Sequence, residues 1–110
     1  MKKVENLLEL KELYKLVNNE DRIRVANLLL MVDEITVGDI SECLNIGQSK
    51  TSRFLSDLTV RGCSISRRDA QSNYYKLTDF GKFIFRACLS HFQDLQELKD
   101  DIARLRTLGY

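Results

Sequence analysis

Gln48, Ser49, Lys50, Ser52 and Arg53 bring an amide, two hydroxyls, an ammonium and a guanidinium into six consecutive residues. At helical spacing these groups occupy the N-terminal side of one helix, where they can address base edges and phosphates. Gln48 is suited to adenine and Arg53 to guanine, while Ser49, Ser52 and Lys50 suit phosphate or single base contacts. Arg67 and Arg68 follow in a stretch whose period is that of strands. Together these residues point to nucleic-acid recognition by a helix with an adjoining basic hairpin.

The charge distribution agrees. The chain carries a formal +1, but residues 47–77 hold six basic side chains against two acidic ones, a net +4 that leaves −3 on the remainder. Positive charge gathered on one segment is the footprint that phosphate binding requires.

Four helices must position this segment. The first is expected from Val4 to Val17, with Val4, Leu7, Leu8, Leu10, Leu13, Tyr14 and Val17 on an apolar face. Asn18 and Asn19 break it and cap a second helix that starts with Glu20 and Asp21 and is apolar on most sides. Thr36 opens the third helix, with Asp39 three residues on and Val37, Ile40 and Leu44 turned inward. Asn45-Ile46-Gly47 makes the tight turn, and Gly47 caps a fourth helix from Gln48 to about Val60. Thr51, Leu55 and Leu58 of that helix face the core, and Gly62 ends it in a left-handed position. Strands are expected over Ser64–Arg68 and Asn73–Leu77, joined by residues 69–72. Helix, turn, helix and basic hairpin in this order form a winged helix-turn-helix, which places one helix in a major groove.

From Phe80 to about Leu108 the chain is expected to be one long helix. Ile84, Cys88, His91, Leu95, Leu98, Ile102 and Leu105 recur at spacings of four and three, a seam that needs a partner. A homodimer built from the first and last helices is the expected arrangement. The domain plan is thus a single unit over 1–110, with the helix-turn-helix core and wing at 18–77 and a C-terminal dimerisation helix at 79–108.

Composition narrows the class further. At 44% hydrophobic and 30% charged the chain is globular, and its apolar run around Val25–Val32, interrupted by Asn27, is far short of the ~20 residues that span a bilayer. The N-terminal stretch resembles a signal peptide only in its two lysines. Cys43, Cys63 and Cys88 are odd in number and widely spaced, which fits reduced thiols in a cytoplasmic protein and neither a disulfide framework nor a zinc ribbon. A single histidine, no Gly-rich phosphate loop and no nucleophile motif argue against an enzyme. Asp100-Asp101 reads as a solvated helix face.

The run from Ile35 to Leu77 resembles the ArsR/SmtB family of repressors. The matching pieces are TVGDI, IGQSKTSRFLSDL and RG followed by SRRDAQSNYYKL, and the Asn19–Arg24 segment resembles that family's opening of its second helix. The resemblance implies a dimeric repressor that binds a roughly palindromic double-stranded operator and leaves it when an inducer binds. By position it assigns Gln48, Ser49, Ser52 and Arg53 to base and phosphate contacts, and Arg67, Arg68 and a tip around Gln71 to the wing. Tyr74 and Tyr75 match a paired aromatic strand of the wing.

The family's sensor sites are incomplete here. Thr36 and Gly38 stand where thiolate-sensing members carry cysteines. Of the zinc-sensing pattern at the last helix, Asp79, His91 and Asp94 remain, one histidine is missing and the spacing is one residue short. With Cys88 these are the weak candidates for a sensor; packing is the default for all three cysteines. No metal or other cofactor is expected, and the inducer is open. Tyr75-Lys76-Leu77-Thr78-Asp79-Phe80-Gly81 also resembles the wing exit of MarR- and PadR-type regulators, which is the alternative assignment. A winged-helix adaptor that contacts protein is the alternative function.

Overall fold

A computed structural model describes residues 4–110, so the first three residues of the expected domain lie outside the described part. The helices are α1 (Leu7–Tyr14, continued by a 3₁₀ turn over Lys15–Val17), α2 (Glu20–Leu30), α3 (Val37–Leu44), α4 (Gln48–Val60), α5 (Asp79–Leu89) and α6 (Gln96–Thr107). Strands β1 (Ile35–Thr36), β2 (Ser64–Asp69) and β3 (Ser72–Leu77) form an antiparallel sheet in the order β1-β3-β2. This is a winged helix-turn-helix. No helix of the described residues is long and apolar enough to cross a membrane.

The caps fall where the side chains dictate. Asn19 accepts from the Arg22 amide at 2.9 Å and Thr36 from the Asp39 amide at 3.1 Å, which starts α2 and α3. Asn45 closes α3 at φ 55°, a left-handed conformation that asparagine tolerates better than most residues. Gly47 then caps α4, and Gly62 follows that helix at φ 77°. Thr51, Leu55 and Leu58 are buried as expected, and Phe54 joins them. α2 is the central element, with Val25 to Leu29 all buried.

Three expectations need correction. The first helix is shorter than 4–17, starting after the Asn6 cap, and of its expected apolar face only Leu13 is buried. Leu7, Leu8, Leu10 and Tyr14 stay exposed, because the core has no further surface to offer this side of α1. The wing strands extend to Asp69 and back to Ser72, leaving a two-residue turn at Ala70-Gln71, and β1 adds a third strand too short to show a period.

The largest correction is at the C-terminus. The 79–108 segment is two helices, with a turn over 90–95 held by the Phe92 amide on the Leu89 carbonyl and the Leu95 amide on that of Phe92. α6 folds back onto α2 and α3, so Leu98 and Leu105 enter the core of their own chain instead of a coiled-coil seam. His91 and Leu95, expected on that seam, are exposed in the turn. Gln93 secures the turn by donating to the buried Asn27 side chain at 2.8 Å. Intramolecular burial of two leucines outweighs the regularity of one long helix, whose free C-terminal half would leave them in water.

Candidate nucleic-acid interface

α4 presents its N-terminal two turns outward. Gln48, Ser49, Lys50 and Arg53 are exposed and Ser52 half-buried, on a helix anchored from below by Thr51, Phe54 and Leu55. The turn that aims it is pinned by Ser41, whose hydroxyl donates to the Ile46 carbonyl while its carbonyl accepts from the Ile46 amide. The Thr51 hydroxyl donates back to the Gly47 carbonyl at 3.1 Å. The first helical turn is therefore rigidly seated while its outer face stays open.

Arg67, Arg68 and Gln71 lie on the exposed hairpin, which follows α4 through the turn at 61–63. The hairpin register pairs Arg67 with Tyr74 and Arg68 with Asn73, and leaves Gln71 in the tip. Two sets of candidate residues thus occupy two adjoining elements, as the sequence implied.

Their charges are not equally available. Lys50 is paired with Asp21 of α2 at 2.7 Å. Arg61 pairs with Asp57 at 3.0 Å and with Glu12 at 3.6 Å, tying α4 to α1. Arg67 forms a two-pronged ion pair with Glu34, whose carboxyl is held below the usual range by that guanidinium. Arg68 donates to the Ala70 carbonyl at 3.2 Å. Among the described residues no hydrogen bond or ion pair involves the exposed Arg53 side chain, in contrast to Lys50 and Arg61.

The helix-turn-helix is braced from behind by a cluster that the sequence reading missed. Asp101, expected on a solvated face, is fully buried. It accepts from Arg24 at 2.9 and 3.0 Å and from Arg104. Those arginines in turn cap the last carbonyls of α3: Arg24 reaches Leu44 at 3.1 Å and Arg104 reaches Cys43 at 2.7 Å. The carboxylate raises the Arg24 pKa, chiefly through its hydrogen bonds. At the other end of α3, the Tyr110 hydroxyl donates to Asp39 at 2.5 Å, and burial first, then this bond, pushes the phenol up.

The wing exit is explained by packing. Thr78 accepts from the Gly81 amide at 3.0 Å, capping α5, and donates to the Gly62 carbonyl at 2.7 Å. A Cβ at Gly81 would lie 2.0 Å from the Cys63 carbonyl oxygen. Threonine and glycine at these positions serve the join between wing and α5.

The weak sensor candidates do not converge. Asp79 begins α5, Cys88 lies near its end, and His91 and Asp94 stand in the following turn. Among the described residues no group of three or more His, Cys, Asp and Glu side chains could hold a metal ion. Cys43 and Cys63 are buried and Cys88 half-buried, and burial raises the thiol pKa of Cys43 and Cys88, the reverse of what a reactive thiolate needs.

No protein-family model matches the chain. Over 66 residues it is 33% identical to the arsenic resistance transcriptional regulator ArsR2 of Pseudomonas putida, a match covering 60% of this chain and 57% of that protein. The chain therefore spans less than two thirds of that relative's length. HlyU from Vibrio cholerae superposes with a TM-score of 0.69 at 27% identity, over 82% of this chain and 98% of that one. Mb0332 of Mycobacterium bovis, described as a homodimeric winged helix-turn-helix DNA-binding domain and a possible ArsR-family regulator, has a TM-score of 0.67 at 20% identity and shares the fold. It covers 82% of this chain and 87% of that one. In sequence the chain is thus similar to an arsenic resistance transcriptional regulator, and in fold it is similar to solved winged helix-turn-helix proteins.

Proposed function

We propose that this chain is a sequence-specific DNA-binding transcriptional repressor acting as a homodimer in the cytoplasm. The observation that carries the reading is the exposed N-terminal face of α4, where Gln48, Ser49, Lys50 and Arg53 project from a helix whose other face is locked into the core. A seated helix with a polar, cationic outer end is what a major groove accepts. Gln48 and Arg53 are the base-reading candidates; Ser49, Lys50 and Ser52 suit phosphate or single base contacts, and Arg68 and Gln71 of the wing are phosphate-side candidates.

Self-association is supported by apolar surface that the single chain leaves in water. Leu7 and Leu8 of α1 are 82% and 64% exposed and Phe83 of α5 is 62% exposed. Leu8 and Phe80 line one cleft, which brings α1 beside the start of α5. A surface of this kind is costly in a monomer and is buried when two copies pair. The dimerisation helices are thus α1 and α5, with α6 kept for the chain's own core. Two recognition helices would then enter successive major grooves ~34 Å apart.

Selection from a pool of random duplexes tests this reading. Enrichment of an inverted repeat with half-sites one helical turn apart is the expected result. Recovery of no preferred sequence would contradict it.

A further inference from the structure

We infer that Arg67 is not a DNA contact but the bolt of a clamp that fixes the wing to the helix-turn-helix, with Glu34 and Tyr74 as its positioning residues. The inference rests on the DNA-binding reading for its consequence and on geometry for its existence. Thr36 of β1 is paired with Tyr74 of β3, and Tyr74 with Arg67 of β2, so the three form one row across the sheet. Glu34 lies two residues before Thr36 and its carboxylate meets the Arg67 guanidinium, Nε to Oε2 at 2.9 Å with a second bond from Nη2 to Oε1. On the way the guanidinium passes over the Tyr74 ring, its Cζ 4.5 Å from the centroid.

One side chain from the outer wing strand thus spans the middle strand and grips the segment that enters β1. Two parallel charge-assisted bonds and a ring contact fix the guanidinium in a single orientation, which lysine could not reproduce. β1 runs directly into Thr36, the cap of α3, so the clamp sets the angle of the hairpin relative to the recognition unit. Asp69, 3.8 Å from Arg67, adds a second carboxylate on the same guanidinium. With its fork and its face both occupied, Arg67 has little left for a phosphate. Arg68, next along β2 and on the opposite face of the hairpin, has only one bond, to the Ala70 carbonyl, and is the wing's phosphate ligand.

The test compares Glu34→Ala, Arg67→Ala and Arg68→Ala in the full chain. Its first readout is amide hydrogen exchange of residues 64–77 without DNA. Glu34→Ala and Arg67→Ala should each accelerate exchange in the hairpin and leave α2 protected, whereas Arg68→Ala should not; unchanged exchange in the first two overturns the clamp. The second readout is anisotropy with a fluorescein-labelled random-sequence duplex across a series of NaCl concentrations. Arg68→Ala should lower the salt slope by about one, the share of one phosphate contact. Glu34→Ala and Arg67→Ala should weaken binding by a similar factor with the slope unchanged, and the double variant should be no weaker than either single one. Tighter binding with a steeper slope in Glu34→Ala would show that Glu34 competes with phosphate for Arg67, overturning the inference. If the native chain fails to bind the duplex, the DNA-binding reading falls, while the exchange result still decides the clamp.

Discussion

Asp101, on the last helix, accepts two hydrogen bonds from Arg24, on the second, although the two lie 77 residues apart in sequence. The pair does more than join α6 to α2. Arg24 goes on to cap the end of α3, so the first helix of the helix-turn-helix is held through a buried carboxylate on a distant element. Asp101→Ala would leave Arg104 without its counter-charge and Arg24 with Asp21 alone, at 4.0 Å, and the lost charge-assisted hydrogen bonds should cost about 2 kcal/mol. Urea denaturation measures this; a loss below about 1 kcal/mol would show that the cluster contributes little.

Gly81→Ala should be among the most damaging single changes. The added Cβ meets a backbone carbonyl at 2.0 Å, so α5 or the turn before β2 must move. A loss of roughly 3 kcal/mol is expected, at the upper end for overpacking, seen as a lower thermal midpoint. Full stability in this variant would mean that the junction between wing and α5 is soft.

Ala70 occupies the wing turn at φ 55°, a region costly for a residue with a Cβ. Ala70→Gly should therefore stabilise the chain by about 0.5–1 kcal/mol, less than the full steric relief because glycine loses more freedom on folding. The thermal midpoint should rise by a few degrees.

Burial raises the thiol pKa of Cys88 and of Cys43, so less of each is thiolate at a given pH than in the unfolded chain. Alkylation by iodoacetamide near pH 8 should be markedly slower in the native protein than in urea. Equal rates would reopen a thiol-sensing role for Cys88.

Most of the recognition unit was legible in the sequence, because capping residues and period changes act locally. Asn19, Thr36, Gly47 and Gly62 mark element ends by their own chemistry, and each lies where the structure uses it. What escaped was settled by tertiary contacts. The spacing of Leu98 and Leu105 fits equally a seam between chains and a helix folded onto its own core, and tertiary contacts such as the Gln93–Asn27 bond, the Asp101–Arg24 pair and the packing against α2 and α3 decide between them. Asp101 looks like Asp100 until two arginines from different helices converge on it. Arg67 and Arg68 are adjacent and chemically identical, yet the strand alternation sends one to Glu34 and leaves the other at the hairpin surface.

The most direct measurement is fluorescence anisotropy of the native chain and Arg53→Ala on duplex DNA from upstream of its own gene, titrated with NaCl and random competitor. Tight, competitor-resistant binding that falls steeply with salt, and a loss of ~1–3 kcal/mol in Arg53→Ala, is the expected result. Native binding no tighter than to random DNA, with Arg53→Ala unchanged, would contradict a base-reading role for α4.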